Sequence, residues 1–279
     1  MAREAPVSDE GKPPLDADQE KKATEESELD APTTYEVIRR EGERELERTS
    51  GALFWSALAA GLAMGFSMVA EGVLRAHLPD TEWRPLLTKL GYSVGFLIVI
   101  LGSQQLFTEN TLMPIVPLLA RRGWKLLRSV ARLWGIVFVA NIVGAAIFAV
   151  VCGSTEIFDL DTRTAFAALG REAMEGSLLL KFARAIFAGW IIALMVWMLP
   201  AASEGKIAVI VVMTWLIGVT GLAHIIAGSV EVLYLSVIGE QPWSTYFTDY
   251  MWPVLLGNIL GGVTLVAALN HAQVTSGKR

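Results

Sequence analysis

Chemistry-bearing residues are scarce in this 279-residue chain. Cys152 is its only cysteine, which excludes an internal disulfide and any thiolate metal cluster. The three histidines, His77, His224 and His271, lie far apart. There is no Walker loop, no GxGxxG turn after a strand and no HExxH pair, so no enzyme activity, cofactor or metal is expected. No apolar stretch follows a basic start, so no cleaved secretory signal is expected either. Lys and Arg are missing altogether from residues 239–251.

What the chain has in abundance is apolar sequence: 53% of residues are hydrophobic and the mean hydropathy is +0.47. That is too apolar for an ordinary soluble domain. The formal net charge of −5 averages two unlike parts. Residues 1–50 hold eight Lys/Arg and fifteen Asp/Glu, whereas the rest of the chain holds fifteen and thirteen. Residues 1–33, rich in Asp, Glu, Lys and Pro, bury too little apolar surface to offset ordering entropy and are expected to be a disordered acidic tail. Over 34–50, Glu36 and Arg40 stand at helical spacing, and Tyr35, Ile38 and Leu46 share a thin apolar face. This segment is expected to be a surface helix, either under the membrane or simply solvated.

Six spans follow, near 51–77, 86–120, 130–151, 178–199, 207–238 and 252–270, each long enough for a bilayer that requires roughly 20 residues. The second and fifth are too long for one straight helix. Each is interrupted by polar groups, at Leu106-Phe107-Thr108-Glu109-Asn110-Thr111 and at Gly221-Leu222-Ala223-His224-Ile225-Ile226-Ala227-Gly228. Backbone freed at that depth persists only where protein or a wet cavity receives it. Paired breaks in the middle helix of each half point to a substrate site between inverted repeats. The expected fold is therefore an all-α membrane protein of six transmembrane helices in two inverted three-helix repeats. It forms a transport domain over 51–272, followed by a short tail at 273–279.

Arg121, Arg122, Lys125, Arg128 and Arg132 follow span 2, Lys206 follows span 4, and the chain ends Lys278-Arg279. This bias places both termini in the cytoplasm. The same bias explains the basic loop better than nucleic-acid binding does.

Few polar groups lie at membrane depth. His224 is a functional candidate by default, because an ionisable side chain there is costly. It also titrates near neutrality and so suits proton exchange with a weak acid. Glu109 serves either as a half-helix cap or as a pore residue. Glu231, two turns past His224, is too far inside its half-helix to cap it. Glu71 is expected to pair with Arg75 at i+4. Asn258, between glycines, and Asn141 either face the pore or bond a neighbouring helix. The Met and Trp residues read as core and interface belt.

At these residues the chain resembles the formate/nitrite transporter family. The likeness is carried by Leu106-Phe107-Thr108, His224, Val196-Trp197-Met198 and Gly257-Asn258-Ile259-Leu260-Gly261-Gly262, and covers about 45–272. It implies an aquaporin-like subunit with its own pore, assembled as a homopentamer in the lipid bilayer of a bacterial inner membrane. It also implies passage of a small monovalent anion such as formate or nitrite with a proton. By position, Leu106, Phe107 and Thr108 become a mobile loop and its constriction, Ile217 stands near the cytoplasmic constriction, and His224 is the central proton-exchanging residue. Three departures are visible. Gly189 occupies the register of a vestibule Asn, Lys181 falls too close to span 4 to match the family lysine, and Glu109 and Glu231 add acid near the breaks. The outer loops are acidic as well, a surface that repels anions. Two alternatives therefore stand beside the anion reading: selectivity for ammonium or a proton through Glu109 and Glu231, and a non-conducting membrane scaffold.

Overall fold

The structure, a computed structural model, describes residues 30–121 and 123–276. Most of the expected disordered tail, and the last three residues, lie outside these. Among the described residues every regular element is helical. Helix α1 (Ala31–Glu47) begins earlier than the apolar pattern suggests, because Asp30 caps it: its carboxylate accepts from Thr33 N at 2.9 Å, and a proline occupies the first turn. Residues 31–33 therefore belong to the helix and not to the tail.

Spans 1, 3, 4 and 6 are single long helices. They are α2 (Ser50–His77), α6 (Trp124–Ser154), α8 (Leu178–Met198) and α11 (Trp243–Gln273), the last with π-helical stretches at Tyr246–Met251 and Gly261–Ala268. Span 2 is assembled from pieces: α3 (Arg84–Thr88), α4 (Ser93–Leu101), a 3-10 turn (Glu109–Thr111) and α5 (Ile115–Arg121). Span 5 comprises α9 (Lys206–Val219) and α10 (Ile225–Val237). With 13 residues, α10 is about 20 Å long and cannot cross hydrocarbon alone. Each half packs its first span most extensively on its third: α2 on α6, α8 on α11.

One amphipathic helix escaped the hydropathy reading. α7 (Leu160–Met174), between spans 3 and 4, is capped by Asp159, which accepts from Thr162 N at 2.7 Å. It buries Phe166 and Leu169 and lies on the face of the bundle opposite α1. These two faces are called the N-terminal face and the opposite face.

Candidate functional site

The two breaks are built alike. α4 ends at Ser103 (φ 51°) and α9 at Gly221 (φ 63°), both left-handed. Gln104 N then reaches back to Val99 O at 2.9 Å, and Leu222 N to Ile217 O at 3.0 Å, closing the helix ends as left-handed caps do. The chain beyond each cap is held by an asparagine from the third helix of its own half. Asn141 on α6 accepts from Phe107 N (2.9 Å) and donates to Ala57 O (2.7 Å) and Gln105 O (2.9 Å). Asn258 on α11 accepts from Ile225 N (2.8 Å) and donates to Ala185 O (2.8 Å) and Ala223 O (2.9 Å). These bonds satisfy backbone that hydrocarbon would leave bare. A glycine admits each asparagine: a Cβ on Gly61 would stand 2.2 Å from Asn141 O, and one on Gly189 2.3 Å from Asn258 O.

This symmetry sets His224 opposite Leu106, each one residue before the clamped N–H. His224 is buried and caps α10, its Nδ1 accepting from Ala227 N at 3.2 Å. An Nδ1 that accepts a backbone N–H carries no hydrogen, so the neutral ring has its hydrogen on Nε2. Nε2 lies 2.7 Å from Thr108 Oγ1, in the other break, and donates to it. Phe96 meets the ring edge-on at 4.9 Å, and Tyr250 donates to His224 O at 3.1 Å. Position and tautomer are thereby fixed.

A cavity opens on each side. On the N-terminal face, about 640 Å³ is lined by Gln104, Gln105, Glu109, Met113, Val196, Ile210 and Lys206, beneath Glu41, Arg44, Glu45 and Arg48 at the C-terminal end of α1. On the opposite face, about 260 Å³ is lined by Tyr92, Gly218, Val219, Leu222, His224, Glu231 and Tyr250, with Lys89, Glu172, Lys181 and Arg184 around them. Leu106, Thr108 and Ile217 are wholly buried and line neither cavity. Among the described residues no group of three or more His, Cys, Asp or Glu is disposed to hold a metal.

The profile of the formate/nitrite transporters matches residues 32–272. The chain belongs to the formate/nitrite transporter family. It is 45% identical over 240 residues to the inner membrane protein YfdC of Escherichia coli K12, spanning 86% of this chain and 77% of that one. It is 26% identical over 232 residues to a probable formate transporter of Methanothermobacter thermautotrophicus, spanning 75% and 84%. The fold matches a pentameric formate channel with formate bound, at a TM-score of 0.69 and 21% identity over 82% of this chain and 98% of that one. It also matches an FNT family ion channel, at 0.73 and 19% over 86% and 98%.

Within this formate/nitrite transporter fold, several residues sit elsewhere than the sequence suggested. Ile217 is not on the N-terminal side of the barrier. It adjoins Gly218 and Val219, which line the opposite cavity, because α9 has by then climbed almost to its end. Phe107 lines neither cavity and packs edge-on against Phe138 and Trp134 of α6, at 5.2 and 5.9 Å. Asn258 is not a pore group, since its amide is consumed by the break. Gly189 touches the backbone of span 6, so an Asn at that place would displace the helix. Lys181 reaches the opposite cavity after all, donating to Met174 O (2.9 Å) and Gly176 O (3.0 Å).

Glu71 pairs with Lys89 and not with Arg75. Gly91 lets span 2 approach the Glu71 backbone, where a Cβ would stand 2.4 Å from Glu71 N, and the carboxylate turns inward to Lys89. Arg75 instead binds Glu172 of α7. Lys89 also lies 3.5 Å from Glu172. Lys89 was missed by sequence reasoning, although a lysine inside an apolar run is itself a signal.

Proposed function

We propose that each subunit passes a small monovalent anion of the formate or nitrite type across the membrane as its neutral acid, and that His224 exchanges the proton. The observation that carries this reading is the 2.7 Å bond between His224 Nε2 and Thr108 Oγ1, which joins the two breaks at the barrier between the cavities. An anion crossing the buried Leu106–Ile217 layer loses hydration worth at least several kcal/mol, whereas its acid loses far less. His224 lines the opposite cavity, so an anion arriving there receives the Nε2 hydrogen by taking the place of Thr108 Oγ1 at the edge of the barrier.

The solved relative named as pentameric supports a homopentamer in which every subunit has its own pore, and the YfdC relative supports a bacterial inner membrane. Tyr35 Oη lies 2.7 Å from His271 Nδ1, so both ends of the described chain meet on the face that carries Arg121, Arg132 and Lys206. By the positive-inside rule that face is cytoplasmic.

Flux of formate, nitrite and ammonium into proteoliposomes, stepped in pH, tests this. Formate uptake that rises with acidity and falls in assembled His224→Ala is the expected result; unchanged uptake in that variant sinks the mechanism. One observation favours a second reading. Glu109 and Glu231 each line one cavity, so carboxylates stand on both sides of the barrier. Ammonium flux that is lost in Glu109→Gln/Glu231→Gln would establish cation selectivity in place of anion passage.

A further inference from the structure

His224 lines the opposite cavity alone, so an anion entering from the N-terminal face cannot reach it without first crossing the barrier uncombined with a proton. Some other group must load that anion. Building on the acid-permeation reading, we infer that Glu109 is the proton-loading residue of the N-terminal vestibule, giving its carboxyl hydrogen to a monovalent oxyanion that arrives from that side.

Three observations converge on Glu109. It lies directly after Thr108, the partner of His224, and so stands at the barrier's other edge. It is 7% exposed and lines the cavity. Its Oε1 is buried with no hydrogen-bond partner among the described residues, and the same holds for Gln104 Oε1 and Asn110 Oδ1 nearby. The unmet atoms on these three side chains are all acceptors, and a carboxyl hydrogen turns Glu109 into a donor. The neighbouring amides donate elsewhere: Gln105 Nε2 to Glu45 at 2.8 Å, and Asn110 Nδ2 to Gln105 Oε1 at 3.0 Å and Leu106 O at 3.1 Å.

The charged groups facing Glu109 fit an anion's approach. From α1 come Glu41, Arg44, Glu45 and Arg48; from the start of α9 comes Lys206; across the barrier stands His224. Arg44 and Arg48 lie against Glu41 and Glu45 at 3.7 and 3.1 Å, so of these cations it is Lys206 that draws the anion inward. In the transfer, the O–H bond of Glu109 breaks and an O–H bond forms on the anion. The negative charge stays on Glu109, which recovers a proton from vestibule water as the neutral acid crosses. No electron changes hands. Loading is thus divided by face, with Glu109 on the N-terminal side and His224 on the other.

Direction of flux tests this, with right-side-out and inverted membrane vesicles from a host devoid of formate transport. In Glu109→Gln, formate movement starting from the N-terminal face at neutral pH falls by about a hundredfold or more, the scale of a lost acid group. Movement from the opposite face is unchanged, and acidifying the N-terminal side restores the lost rate. His224→Ala gives the mirror pattern. Equal losses in both directions, or no loss in either, overturn the inference. If Glu109→Gln does not assemble, Glu109→Asp carries the same test, because it keeps the acid but withdraws it by one methylene. A slowed rate from the N-terminal face alone supports the inference, and symmetric rates overturn it. Wild-type vesicles that pass no formate or nitrite from either face would instead refute the underlying acid-permeation reading.

Discussion

The two vestibules correspond in their walls and differ at their floors. Ile100, Leu101, Ser103, Gln104 and Gln105 on the N-terminal face have Gly218, Val219, Gly221, Leu222 and Ala223 as counterparts, at one constant offset along the chain. Tyr92 and Ile210 correspond in the same way. At the floors the match ends: Leu106 stands where the other half has His224, Glu109 where it has Ala227, and Met113 where it has Glu231. The shared part is what hydrocarbon imposes, namely left-handed caps, asparagine clamps and glycine contacts that leave no backbone group bare. The divergent part is made of side chains at and beside the layer between the cavities, of which only His224 also caps a helix. Symmetry therefore locates the barrier, and departures from symmetry locate its chemistry.

The largest test of this comparison concerns the lysine beside each cavity, Lys89 or Lys206, one residue out of register with each other. Lys89 is paired with Glu71, which is only 1% exposed, whereas Lys206 is exposed. Removing one partner of a buried pair typically costs about 3–5 kcal/mol. Lys89→Ala should therefore lower the thermal unfolding midpoint of the purified protein steeply, while Lys206→Ala stays within about 0.5 kcal/mol of wild type. Lys89→Ala/Glu71→Gln should recover much of the loss, because no charge is then stranded. Equal effects of the two single substitutions would mean that the opposite vestibule is not the one held by buried charge.

A smaller effect separates the two caps. Nothing lies within 4 Å of a Cβ built on Gly221, so Gly221→Ala is opposed by its φ of 63° alone. The expected cost is about 1–2 kcal/mol. Ser103 already carries that strain at φ 51°. In Ser103→Gly the relief is offset by the greater unfolded-state freedom of glycine, leaving a net change under about 1 kcal/mol. Thermal scans of both variants decide the matter. A costless Gly221→Ala would show that the second break does not need its left-handed cap.

The spans and both breaks were legible because hydrophobic length and polar interruption are properties of a single segment. α7 was hidden because its mean hydropathy is that of a loop, and its apolar stripe of Phe166 and Leu169 acquires meaning only against α2 and α10. Glu71 was assigned to Arg75 because helical spacing brings i and i+4 together. The winning partner, Lys89, comes from another span at a contact that Gly91 makes possible, and no local pattern reports such a contact. Asn258 was visible as an unusual amide, but its three bonds all run to backbone outside its own helix. Which face of its helix it presents depends on one residue of register. Side-chain direction, not side-chain identity, was the missing quantity.

The smallest effect concerns the elements that cover the two cavities. α1 over the N-terminal vestibule is laced by ion pairs near water: Arg39 and Arg40 both donate to Glu36, at 2.7 and 2.8 Å. These hydrogen bonds hold the Glu36 carboxyl at about 2, against an ordinary 4.5. A carboxyl depressed in the folded state contributes stability that is whole above 4.5 and fades as pH falls towards 2. The Glu36 side chain is 39% exposed, so solvent screening limits the contribution to a few tenths of a kcal/mol, about that of other surface pairs. Hydrogen exchange of the α1 amides, corrected for its intrinsic pH dependence, should show slightly weaker protection through that window, and added salt should shrink the change. Glu36→Gln should flatten the profile for α1 and leave α7 as it was. A matching acid-induced loss in α7 would mean that the two covering helices loosen together, and that the faces are coupled through the bundle and not held separately.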